Sequence, residues 1–180
     1  MHCFLIYGLQ AKQNSKVITM IEGFEKITHD EFATLRDALP MIAALIGGAD
    51  GKFDSKEKHW SEKFAKIYSF SKGDPLDVFF KKVNDHFSER ADAFYRHHEE
   101  LDERNSYLSN ELEKLNDILP KIPPIIAYRL YNSFLTFAKE VARSSGGFFR
   151  MGGIGPKEAR LAKLPMIKPF PDPNDLDKDA

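Results

Sequence analysis

Three carboxylates, Asp50, Asp54 and Glu57, fall within eight residues, in the stretch Ala49-Asp50-Gly51-Lys52-Phe53-Asp54-Ser55-Lys56-Glu57. Two kinds of chemistry fit that spacing. Calcium takes six to eight oxygens, and these side chains with a carbonyl near Lys52 supply roughly four or five of them, water completing the shell. The loop is not an EF-hand. With Asp50 at position one, Lys52, Ser55 and Ser61 stand at positions three, six and twelve, where the EF-hand needs an acid, a glycine and a glutamate. The alternative is structural. Asp50-Gly51 makes a turn, Asp54 caps the following helix, and Glu57 completes a capping box. A cap contributes about 1 kcal/mol, enough to retain such residues without a metal. Both readings stay open on the residues alone.

Other reactive side chains are less organised. His86, His97 and His98 lie among Glu89, Glu99, Glu100 and Asp102. A zinc or di-iron site needs ligands converging from several helices, and no second cluster matches them. They read as ordinary residues of a solvated helix face, and His59 has no partner in sequence. The run Gly146-Gly147-Phe148-Phe149-Arg150-Met151-Gly152-Gly153-Ile154-Gly155 has Walker-like glycine spacing but lacks the Lys-Ser/Thr pair, and a helical pattern precedes it. What remains is a loop with Phe148, Phe149 and Arg150 as a partner-binding surface, or with both phenylalanines folded into the core. Cys3 is the sole cysteine, so no intrachain disulfide forms. Nothing places a general base beside a nucleophile, and the expectation is a protein that is not an enzyme.

These groups must be held by helices. Thr28-His29-Asp30-Glu31 is a capping box, after which Phe32, Leu35, Leu39, Ile42 and Ile46 recur at helical spacing. Pro40 is expected to kink or split this helix, and Gly47-Gly48 to end it. A second helix starts at Asp54 and stops near Ser71-Lys72-Gly73. Asp74-Pro75 opens the next, with Leu76, Phe80, Val83, Phe87, Ala91, Phe94 and Leu101 in period. That run is one long helix or two broken near Ser88, with a further interruption at Asn105-Ser106. Leu108, Leu112, Leu115 and Leu119 form another stripe. Pro124 opens the most apolar helix, with Ile126, Leu130, Phe134, Phe137 and Val141, expected at the centre of the core. Gly155-Pro156-Lys157-Glu158 starts a short last helix. No stretch alternates as a strand, so the fold class is all-α, a compact bundle of six to eight helices.

The two apolar helices end alike. Ala49-Asp50-Gly51 leads to Asp54-Ser55-Lys56-Glu57, and Ser145-Gly146-Gly147 leads to Gly155-Pro156-Lys157-Glu158. Two helix–loop–helix halves around a pseudo-two-fold axis would bring Glu158 to the acidic turn. On these paired motifs the chain resembles the tellurite-resistance TerB-like family, over roughly Thr28 to Leu164. The resemblance implies an all-helical stress-response domain without catalytic activity. It further implies a divalent cation, calcium favoured, at Asp50, Asp54, Glu57 and Glu158, and protein partners in a complex at the inner face of the membrane. One departure is clear: no carboxylate stands at Gly146 or Gly155, the counterparts of Asp50 and Asp54.

The totals set the remaining bounds. Among 180 residues, 42% are hydrophobic and 29% charged, with 15 phenylalanines, which suits a soluble globular domain with a bulky aromatic core. A net charge of −1 gives no electrostatic reason to expect nucleic acid or an anionic membrane surface. No apolar run is long enough to insert into a bilayer, and the expected location is the cytoplasm. The expected division is an N-terminal extension over 1–27, the TerB-like domain over 28–164 and a Pro-rich acidic tail over 165–180, with Met20 an alternative start. The expected function is a cation-binding sensor or adaptor; the alternative is a metal-free helical protein–protein interaction module.

Overall fold

A computed structural model describes residues 21–49, 74–145 and 156–174. Helix α1 spans His29–Gly47, and its capping box is formed as the spacing predicts. The Thr28 hydroxyl accepts from the Glu31 amide at 3.2 Å, and the Glu31 carboxylate accepts from the Thr28 amide at 2.8 Å. Pro40 does not split the helix, one of the two outcomes expected of it. Proline forfeits one backbone hydrogen bond inside a helix. Here every residue from Ala38 to Gly47 is buried, and packing on all sides keeps the rod continuous.

After α1 come α2 (Pro75–Asn84), α3 (Phe87–Arg96), α4 (Leu101–Glu113) and α5 (Leu115–Ile118). A 3-10 turn over Leu119–Lys121 leads to α6 (Pro124–Ser145), and α7 (Pro156–Leu161) is the last. The described residues are all-helical, with no strand among them. Asp74 caps α2 through its side chain, 2.9 Å from the Leu76 amide, with Pro75 in the first turn. Of the two readings the sequence left open, two helices form, and the break near Ser88 falls at Asp85-His86. His86 takes a left-handed conformation, φ 54° and ψ 34°, which turns the chain sharply. Asn105 and Ser106 do not interrupt α4. Both lie on its polar side, while Arg104, Leu108 and Leu112 are buried on the other, so side-chain burial outweighs weak local propensity.

The centre of the core is α1, not α6. Helix α1 packs against each of the other described α-helices, α2 to α7. A helix apolar on all sides belongs in the middle of a bundle, and an amphipathic one such as α6 belongs at its edge. The phenylalanines cluster as the composition suggests. Phe24 stacks on Phe79 at 5.3 Å, and Phe32 meets both edge-on. Phe87 meets Phe137 across α3 and α6.

The core takes in residues on both sides of the 28–164 span. Ile21, Phe24 and Ile27 are buried in it, as is Ile167. Gly23 has φ +86°, and a Cβ there would stand 2.4 Å from the Ile126 side chain, so the N-terminal turn docks closely on α6. At the other end, Leu164 leaves α7 with φ 46° and a fully buried side chain. Burial of that leucine offsets a conformation that costs roughly 1–2 kcal/mol for a residue with a Cβ. Among the described residues beyond it, 165–174, there is neither helix nor strand, yet Asn116 fixes this segment at two points. Its Nδ2 donates to the Met166 carbonyl at 2.9 Å, and its Oδ1 accepts from the Lys168 amide at 2.8 Å.

Candidate functional site

Of the residues suggested by sequence as cation ligands, Asp50, Asp54 and Glu57 lie outside the described residues, as do Phe148, Phe149, Arg150, His59 and Cys3. Glu158 stands on α7, 9% exposed, and already has an interaction partner. Among the described residues, His86, His97 and His98 are not gathered on one interior cavity. His86 is exposed at the α2–α3 turn, 3.9 Å from Glu89. His97 and His98 pack around the Tyr107 ring at 4.4 and 5.3 Å, and His98 lies 3.8 Å from Glu103. No group of three or more His, Cys, Asp or Glu side chains arranged to hold a metal occurs among the described residues.

A different feature stands out, a groove of about 580 Å³ between α4 and α7. One wall is a polar stripe of α4: Asp102, Asn105, Ser106, Ser109 and Asn110. Their spacing of three and four residues puts all five on one helix face. The other wall carries Lys157 and Arg160 from α7, and Leu161 with Pro165 and Met166 line the remainder. Helix α7 packs on α1 and α6, which leaves the gap to α4 open. The Asn116 contacts hold Met166 in place at its edge.

The groove carries two cations and one acid. Among the described residues neither Lys157 nor Arg160 has an ion-pair partner, although both are exposed beside Asp102. The Asn105 Oδ1 is buried with no hydrogen-bond partner. The same holds for Asn84 Oδ1, Arg90 Nε and Arg104 Nε, while other polar groups are tied down. Arg90 donates to Asp37 at 2.6 Å and to the Val83 carbonyl, closing the end of α2. Burial pushes the Arg90 guanidinium down from its ordinary value, and Asp37 opposes that shift. Hydrogen bonds from Arg129 to Asp74 and from Lys121 to Glu31 hold both of those carboxyls below their ordinary values.

Next to the groove face, Arg104 is 4% exposed and has no carboxylate partner among the described residues. It donates to the Gly48 carbonyl at 3.0 Å and stacks over the Tyr95 ring at 4.2 Å. The carbonyl end of α1 carries partial negative charge, so Arg104 serves as its C-terminal cation. Gly48 must lack a side chain there: a Cβ would stand 2.6 Å from the Ala44 carbonyl and 2.9 Å from the Tyr95 ring.

Sequence reasoning missed this groove for identifiable reasons. Asn105-Ser106 looks like a helix interruption, although the 102, 105, 106, 109, 110 pattern was readable as a polar stripe. Lys157 looks like part of a cap, and nothing local brings Arg160 opposite α4. The molecule is thus an all-helical bundle with a charged, hydrogen-bonding groove on one side. Compared with family models, curated proteins and solved structures, the chain matches none. No described helix is long and apolar enough to cross a membrane.

Proposed function

We propose that this protein is a non-catalytic helical interaction module that receives a partner polypeptide in the α4–α7 groove. One observation carries the reading. One groove is lined by amides, hydroxyls and two cations that make no ion pair among the described residues. Amides and hydroxyls both donate and accept, which suits the alternating N–H and C=O groups of a peptide backbone. From Asp102 to Asn110 the α4 stripe runs about 12 Å, the length of three to four residues of extended chain. Selection from a displayed random-peptide library tests it. Binders should emerge against the wild-type protein and lose affinity at least tenfold on Ser106→Arg, which fills the groove from an exposed position. Binders indifferent to Ser106→Arg would overturn the reading.

The sensor reading, a TerB-like stress-response domain with a divalent cation at Asp50, Asp54, Glu57 and Glu158 and a complex at the inner membrane face, rests on the resemblance. The described geometry lends it less support, because Glu158 is buried and engaged and Arg104 brings positive charge to the end of α1. Calorimetric titration of calcium into wild type and Asp50→Ala tests it; identical heats would exclude the site.

A further inference from the structure

The occupant of the groove can be specified further, on the premise that the groove is the binding face. We infer that it selects an acidic peptide segment, with Lys157 and Arg160 as the residues that recognise its carboxylates. Two cations and one acid line the groove, so its field favours negative charge. The acid, Asp102, has a separate reason to be there: it lies in the first turn of α4, where a carboxylate is favoured by the helix dipole. Arg160, in the last turn of α7, is likewise favoured by its helix dipole, whereas Lys157, in the first turn, has no such reason. They project from a short helix whose other polar member, Glu158, is buried, and they make no ion pair among the described residues.

Lys121, Arg129, Arg90 and Lys81 meet carboxylates, whereas Lys26, Lys82, Lys139, Lys163 and Lys168, like Lys157, make no ion pair among the described residues; what sets Lys157 and Arg160 apart is that both line one groove. Lys157 and Arg160 stand three residues apart, so both reach the same side of α7 and face the α4 stripe together. An extended chain placed in the groove would set one acidic side chain against this pair, while Asn105, Ser106, Ser109 and Asn110 engage its backbone. An arginine accepts a carboxylate through two parallel hydrogen bonds, and a neighbouring lysine adds a point charge. The pairing is exposed to solvent, so its strength must fall as salt rises.

Fluorescence anisotropy with the full chain tests this, using short capped peptides identical except for glutamates, glutamines or lysines at the same positions. The glutamate peptide should bind at least tenfold more tightly than the glutamine peptide, and the difference should shrink with added salt. The double variant K157E/R160E should lose the glutamate peptide and gain the lysine peptide, with helical content unchanged by circular dichroism. Equal binding of the glutamate and glutamine peptides, or indifference to the double variant, would overturn the inference. Displacement of the peptide by inorganic phosphate at equal charge concentration would mark a small-anion site and overturn it too. Should the library yield groove binders that Ser106→Arg blocks, yet none of them acidic, the groove stands as the binding face and only its charge preference falls.

Discussion

The α1–α2–α3 side of the bundle and the α4–α7 side use the same residue types to opposite ends. On the first side Asp37 takes the bidentate Arg36 at 2.9 and 3.0 Å and Arg90 at 2.6 Å. Asp74 both caps α2 and binds Arg129 of α6, and Glu31 both closes the α1 capping box and binds Lys121. Each carboxylate there serves two masters, one local and one distant. On the second side Lys157 and Arg160 serve none among the described residues; the same is true of Lys82 on the first side, but only Lys157 and Arg160 line a groove together. Charges that hold a fold together are consumed by it, and a pair of free cations lining one groove remains for a ligand.

The sharpest way to break this contrast is to compare stability across it. Asp37→Ala should cost about 3 kcal/mol, since it leaves the largely buried Arg90 without its carboxylate. In the same urea titrations Lys157→Ala and Arg160→Ala should each change stability by no more than about 0.5 kcal/mol. A large loss from either α7 variant would show that these cations belong to the fold, and the contrast would disappear.

A smaller effect lies in the pH dependence. Glu31 and Asp74 have folded-state values held below their ordinary 4.5 and 3.8 by Lys121 and Arg129. Their stabilisation is therefore complete above those ordinary values. It falls away as the pH drops through the lowered folded values, where the carboxylates take up protons. Acid unfolding followed by circular dichroism should show this loss below about pH 4.5. Lys121→Met with Arg129→Met should flatten it. An unchanged acid profile in that double variant would mean that the α1 and α2 caps act alone.

Much of the scaffold was legible because it is written locally. The Thr28–Glu31 box, the Asp74-Pro75 start and the Pro124 start each depend on residues within one turn, and each forms where the spacing puts it. Some details were not. Pro40 was expected to kink or split α1, and the helix is not split, because burial on every side of α1 compensates the lost hydrogen bond, and burial is a property of the neighbours. The sequence left open whether α2 and α3 were one helix or two broken near Ser88; the left-handed His86 that divides them is not marked by a glycine. Helix α6 looked central on apolar content, while the continuous apolar run from Ala38 to Gly47 was the better sign of a helix enclosed on all sides.

By itself the sequence determined an all-helical chain, the caps that start its helices and the aromatic character of the core, because capping and helical periodicity act over one to four residues. Tertiary structure alone decided which helix became the axis, that the chain near Ile21–Ile27 and Ile167 joins the core, and that Lys157 and Arg160 face the stripe of α4. Those outcomes depend on contacts between residues about fifty or more apart, whose energies arise only once the helices have packed.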